Sequence, residues 1–295
     1  MRVHEILLYR GCTTPVRLSE YESSTKIVLK ELGVEATDLV NANCCGAQFV
    51  ESLYPKAHVA LSGRILALAE QQEKDILAIC GACSGSLKHI KHLLDSNESI
   101  RKEVNGLLAH EGLKYTGNVK VKHLLQIFNE DIGYRALEKA IVRPYHGVRM
   151  AAHYGCHVTR PFEIVKVDDP ENPTIIDRII QITGATAVDY TSKTQCCGGP
   201  LLAMDEELAT KIGAGKINNV IHAGAHGLVT ACAFCQIQLT QTQLGSESLV
   251  TNRIPIITLP QFLGYAMGLD YNDLGLFLNP ISARHTVFRT GEEVA

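Results

Sequence analysis

Ten cysteines set out as two copies of one pattern constrain this chain more than any other feature. They stand at Cys12, Cys44, Cys45, Cys80 and Cys83, then at Cys156, Cys196, Cys197, Cys232 and Cys235. Each half reads one Cys, a long gap, Cys-Cys-Gly, a second gap and Cys-x-x-Cys. The second gap spans 35 positions in both halves, whereas the first spans 32 in one and 40 in the other. No cysteine is left over. The likeness extends beyond the thiols. Tyr9-Arg-Gly-Cys12 resembles Tyr154-Gly-Cys156, and Ile76-Leu-Ala-Ile-Cys80-Gly-Ala-Cys83 matches Leu228-Val-Thr-Ala-Cys232-Ala-Phe-Cys235. Lys120–Phe128 has a weaker counterpart in Pro255–Leu263. A repeat this long points to a duplicated domain rather than a solenoid, whose units are far shorter. The junction falls near Arg143-Pro-Tyr-His-Gly147, which predicts domains over residues 1–146 and 147–295.

The chain has 295 residues, 46% of them apolar, enough for two domains with a sizeable core. A net charge of −3 gives no broad attraction for nucleic acid or anionic membrane. No apolar run approaches the ~18 positions of a membrane span. Met1-Arg-Val-His-Glu5 opens without the apolar stretch of a signal peptide, so the expected location is the cytoplasm. In a reducing compartment, clustered cysteines hold metal or do redox chemistry more often than they form structural disulfides.

Short apolar runs alternate with longer amphipathic segments. Val3–Tyr9, Ala36–Val40 and Asp75–Ile79 read as strands in the first half, with helices over Ser19–Leu32 and Ala57–Gln71. Arg149–His153, Thr186–Tyr190 and Gly227–Thr230 are their counterparts, with helices over Asn172–Ile182 and Asp205–Ala223. The predicted fold class is α/β: two pseudo-repeated domains, each a small parallel sheet flanked by helices. Every cysteine group then follows a strand and precedes a helix. That is the carboxyl edge of the sheet, where ligands bind in such folds. Pseudo-twofold packing of the halves would bring the two edges together and form a cleft between them.

Tetrahedral zinc takes four ligands, commonly as two Cys-x-x-Cys knuckles, and each half offers one. Five thiols is one too many for zinc and for an ordinary cubane cluster. The fifth either bridges irons in an unusual cluster, stays free as a reactive group, or sits inert. Histidine is the natural proton donor near such a site. His153 and His157 flank Cys156, and His89 follows Cys83 by six residues. Either flanking histidine could equally bond a cluster sulfide or pack in the core. Lys88 and Lys91 read as a solvated helix face, and Arg160 as either an anion contact or a surface cap.

Two copies of Cys, Cys-Cys-Gly, Cys-x-x-Cys resemble the cysteine-rich CCG domains, and the double copy is similar to the B-type subunit of the heterodisulfide reductases over nearly the whole chain. Supporting stretches are His153-Tyr-Gly-Cys-His157, Asp169-Pro-Glu-Asn-Pro173 and Thr230-Ala-Cys-Ala-Phe-Cys235. The resemblance implies a noncubane [4Fe-4S] cluster in each half, two in all, held by Cys12, Cys44, Cys45, Cys80 and Cys83 and by Cys156, Cys196, Cys197, Cys232 and Cys235. It implies an oxidoreductase acting on sulfur groups, the catalytic subunit of a methanogenesis-type complex. That protein would reduce the coenzyme M–coenzyme B disulfide to two thiols in one-electron steps. The implied partners are a small iron–sulfur subunit of the C type and a flavin subunit of the A type. Two other functions fit the same residues: a homologous subunit of a bacterial sulfur-oxidising complex, and an electron-transfer module that never touches substrate.

Overall fold

The computed structural model describes residues 4–246 and 248–288. It holds two four-stranded, all-parallel sheets of identical topology. The first has β1 (His4–Tyr9), β2 (Val34–Asp38), β3 (Ile76–Ala78) and β4 (Val121–His123) in the order β2-β1-β3-β4. The second has β5 (Arg149–His153), β6 (Thr186–Val188), β7 (Gly227–Thr230) and β8 (Ile256–Thr258) in the order β6-β5-β7-β8. Val3, where the first strand is expected to begin, lies outside the described residues.

Sequence reading predicts three strands per half, and the structure adds a fourth to each. β4 and β8 are only three residues long. Their signal is too short for periodicity to register, although the repeat of Lys120–Phe128 in Pro255–Leu263 marks both. Each fourth strand runs directly into a helix through the same device. His123 and Gln126 form a capping box, and so do Thr258 and Gln261. The glutamine carboxamide oxygen accepts from the backbone N–H of the capping residue, at 3.2 Å for Gln126 and 3.3 Å for Gln261. This satisfies a donor that the helix start would otherwise leave orphaned.

The central strands are buried on both faces, as parallel sheets covered by helices require. Ile6, Leu7, Leu8, Ile76, Leu77, Ala151, Leu228 and Val229 are all inaccessible or nearly so. The helices that cover them include Ser19–Glu31, Pro55–Gln71, Gly81–Ser96, Ile175–Ile182, Glu206–His222 and Ala233–Gly245. None of the described helices is long and apolar enough to cross a membrane.

The halves are locked together by contacts that cross between them. His123 bonds the carbonyl of Ala231 through Nε2 at 3.0 Å. Lys88 is buried and donates to Gln126 Oε1 and to the carbonyl of Val165, both at 2.5 Å. Lys88 is therefore a latch between the halves, and its expected place on a solvated helix face is corrected. Its neighbour Lys91 does sit at the surface, paired with Asp95.

Gln261 is fully buried, and its amide also donates to the Leu274 carbonyl at 3.2 Å. Gln261→Ala removes the cap and leaves that carbonyl without this donor. It is expected to cost roughly 2–4 kcal/mol, read as a lower urea midpoint with an unchanged slope.

Candidate functional site

Three of the four strands in the first sheet end in a cysteine-bearing loop. Cys12 follows β1, Cys44 and Cys45 follow β2, and Cys80 follows β3 as the N-cap of helix Gly81–Ser96, which carries Cys83 in its first turn. The second half repeats this placement with Cys156, the Cys196–Cys197 pair, Cys232 and Cys235. Parallel topology thus gathers all ten thiols, which are unpaired by disulfides. Cys45 and Cys83 lie 3.7 Å apart, and Cys156 and Cys196 4.0 Å apart. Across the halves, Cys80 and Cys232 approach to 3.8 Å. These two residues are equivalent in the repeat, so the pseudo-twofold axis passes between them.

Loop backbone shapes both Cys-Cys-Gly turns. Gly46 and Gly198 adopt φ +84° and +89°, and each donates its N–H to the first cysteine of its pair at 3.3 Å. Gly199 donates to Cys197 Sγ at 3.4 Å. A Cβ on Gly198 would run into the Ala209 carbonyl oxygen, so only glycine fits there. Tyrosines brace the loops from below. The Tyr9 hydroxyl donates to the Asn43 carbonyl at 2.9 Å and the Tyr21 hydroxyl to the Ile79 carbonyl at 2.7 Å, one residue before Cys80.

Thiols this crowded compete for charge. Hydrogen bonds from Cys44 and Cys83 hold Cys45 well below the ordinary thiol range, while bonding to Cys45 pushes Cys83 well above it. Cys196 is pulled down by Cys156 and Cys197. Several thiolates cannot coexist here without a cation to relieve their repulsion.

The donor set fits a multinuclear metal group on a second count. His153 is fully buried, and neither ring nitrogen has a hydrogen-bond partner among the described residues. Its ring, Cys197 Sγ and Cys235 Sγ present ligand atoms within 4.8 Å of one another. An orphaned buried imidazole costs on the order of 1–3 kcal/mol, and a bound group at the thiols would give it a partner. Burial holds His153 neutral, its pKa driven well below the ordinary value.

Access to the two sites follows one rule. In the first half Cys12 and Cys44 are exposed while Cys45, Cys80 and Cys83 are buried. In the second, Cys156 and Cys196 are half-buried and Cys197, Cys232 and Cys235 are buried. A cavity of about 500 Å³ opens at Cys156 and is bordered by His157, His89, Arg160 and Phe162. His157 Nδ1 lies 3.2 Å from Cys156 Sγ, and burial lowers its pKa. The Arg160 guanidinium donates to the carbonyls of Thr194 and Pro170 and to Glu171, which makes it a staple of the cavity wall.

Sequence reasoning missed three features of the site. Phe49, in the helix Ala47–Leu53 that follows the first Cys-Cys-Gly turn, meets Phe234, from the second knuckle, edge to face with ring centroids 6.3 Å apart. Only the packing of the halves makes them neighbours. Gly85 lets helix Gly81–Ser96 approach the His157 carbonyl, since a Cβ there would come within 2.9 Å of it. Lys216, in helix Glu206–His222, is buried, and the charges that face it include Cys235, Cys197, Cys196 and Cys156.

Residues 6–88 and 150–240 match the family model of the CCG cysteine-rich domain. The chain is 33% identical to the B-type subunit of the ferredoxin/F(420)H(2)-dependent CoB-CoM heterodisulfide reductase of Methanosarcina acetivorans, over 94% of both chains. It is 30% identical to the 8-methylmenaquinol:fumarate reductase membrane anchor subunit of Wolinella succinogenes, over 95% of this chain and 98% of that one. A crystal structure of a protein from Helicobacter pylori shares the fold, with a TM-score of 0.77 at 17% identity. The alignment covers 94% of this chain but 52% of the Helicobacter one.

Gly198→Ala drives a Cβ into backbone, whereas Gly46→Ala meets the Val50 side chain at 2.8 Å. The first substitution is expected to cost roughly 2–4 kcal/mol and the second less, because a side chain can yield where a carbonyl cannot. Paired denaturant unfolding curves check the order.

Proposed function

The chain belongs to the CCG cysteine-rich domain family that includes the B-type subunits of heterodisulfide reductases, and we propose that it is the catalytic iron–sulfur subunit of a heterodisulfide reductase complex. The observation that carries this reading is the graded burial of the thiols. In each half three cysteines are enclosed and two stand at the mouth, so a group bound by all five has one side open to a ligand. That arrangement suits a site that meets substrate better than one that only relays electrons.

Under this reading Cys12, Cys44, Cys45, Cys80 and Cys83 hold one noncubane [4Fe-4S] cluster, and Cys156, Cys196, Cys197, Cys232 and Cys235 hold the other. Such clusters supply electrons singly, and two together match the two that a disulfide requires. The chain's own residues set the conditions for this. The Gly46, Gly198 and Gly199 N–H groups bond thiolate sulfur and offset its charge. The Phe49–Phe234 pair ties the helix after the first Cys-Cys-Gly turn to the second knuckle, while Cys80 and Cys232 hold the two sites in contact. The cavity at Cys156 receives the disulfide of coenzyme M and coenzyme B. His157, at its edge, relays a proton from the cavity to a released thiolate. His153 shares the site without a path to solvent, and its role is to bond the thiolate group. A C-type iron–sulfur subunit and an A-type flavin subunit supply the electrons, in the cytoplasm.

A second reading is favoured by one finding. The Wolinella relative, of nearly the same identity, is named for a fumarate reductase and not for a disulfide-reducing enzyme. In that case the chain passes electrons to a partner and the cavity takes no disulfide.

Anaerobic iron and sulfide analysis with EPR, before and after adding the coenzyme M–coenzyme B disulfide, tests both readings. The expected result is about eight irons per chain, two four-iron clusters, and a signal that changes with the disulfide. Iron without a response favours the second reading, and zinc in place of iron overturns both. His157→Gln is expected to lower disulfide reduction roughly 10²-fold at neutral pH with iron content unchanged; a loss of iron instead would make His157 structural.

A further inference from the structure

We propose that Lys216 makes the second-half cysteine site the electron-accepting one of the pair, by setting against it a buried ammonium where the equivalent first-half residue, Arg64, turns to the surface. This rests on the iron–sulfur reading above and adds to it a direction of electron flow. The strand registers make the halves comparable residue by residue. Tyr9 pairs with Ala78 in one sheet as His153 pairs with Thr230 in the other. From Cys-Cys to Cys-x-x-Cys both halves run 35 positions, so Lys216 in helix Glu206–His222 stands where Arg64 stands in helix Pro55–Gln71.

The two cations are placed in opposite ways. Arg64 turns outward, where its guanidinium donates to both carboxylate oxygens of Glu111 at 2.7–3.0 Å and to the Asn41 carbonyl at 2.8 Å. Its charge is cancelled at the surface. Lys216 is 2% exposed. Its ammonium donates to the Ser192 carbonyl and lies 5.4 Å from the centre of the Tyr190 ring. Among the described residues no carboxylate comes within 4.0 Å of it, about one turn earlier in its helix a Cβ on Gly213 would lie 3.4 Å from the Cys197 carbonyl oxygen, and the charges that face it include Cys235, Cys197, Cys196 and Cys156. Burial lowers its pKa to about 8, so it remains largely protonated at neutral pH. The other buried ammonium, Lys88, faces Glu130 and Lys122 and not a cysteine.

One added electron places one unit of negative charge on the group held by the thiols. A cation enclosed in low dielectric stabilises that reduced state far more than a solvated one can. The second-half site then has the higher potential, and electrons entering at the first half collect there.

The test is an EPR-monitored potentiometric titration of the iron-loaded protein with dithionite. It compares wild type with Lys216→Met, Lys216→Arg and Lys88→Met. Two distinct midpoints are expected in wild type. Lys216→Met should lower the higher one, shifting the reduced-to-oxidised ratio at fixed potential tenfold or more, about 59 mV for one electron. Lys216→Arg should restore it, and Lys88→Met should move neither. Lys216→Gln, which keeps a donor for the Ser192 carbonyl, carries the same comparison if the Met variant loses iron. Movement of the lower midpoint, equal movement of both, or no movement overturns the assignment. Wild-type protein that takes up no iron would instead sink the underlying reading, an outcome the iron analysis separates from the others.

Discussion

The contact between Cys80 and Cys232, sulfurs 3.8 Å apart, is the point on which the rest of the molecule depends. The two residues are equivalent in the repeat and each follows the third strand of its half, so this one contact places the carboxyl edge of one sheet against that of the other. Thiols in such numbers repel one another as they ionise, and burial makes the repulsion costly. The surrounding structure holds them there regardless. Tyr9 and Tyr21 brace the loops, glycines let backbone pass where no Cβ fits, and His123 and Lys88, which both donate to Gln126 Oε1, fasten the halves side by side. Stability invested elsewhere in the fold maintains a site that would otherwise push apart.

Duplication explains the framework and not the chemistry around it. Strand register sets His153, and not the Tyr154 that the sequence likeness suggests, where the first half has Tyr9, and where the first half has Arg64 the second has Lys216. His123 and Thr258 cap equivalent helices, yet only His123 reaches across to the other half. Two sites built on one backbone plan thus sit in different electrostatic surroundings. A pair of redox groups that must act in sequence benefits from such a difference, since equal potentials would give electrons no preferred direction.

The parallel sheets and the element bounds were largely legible because they rest on local patterns. Apolar runs predicted six of the eight strands of the described residues, and the four helices given limits end within a few residues of them. β4 and β8 escaped because three residues carry too little pattern. Lys88 was misplaced for a related reason: a lysine in a helix after a Cys-x-x-Cys turn is ordinarily solvated, and nothing local shows that Gln126 and the Val165 carbonyl await it from elsewhere in the chain. Phe49 and Phe234 lie 185 positions apart, and no window of sequence joins them.

By itself the sequence determined that the chain is a duplicated α/β protein with its cysteines at strand ends, because spacing and periodicity are properties of the chain taken in order. Tertiary structure decided which thiols are enclosed and which stand at the mouth, that the two edges face each other, and that Lys216 is buried while Arg64 turns to the surface. Those outcomes depend on how two sheets and their helices pack. Burial and charge environment are set by neighbours distant in sequence, and only the folded arrangement supplies them.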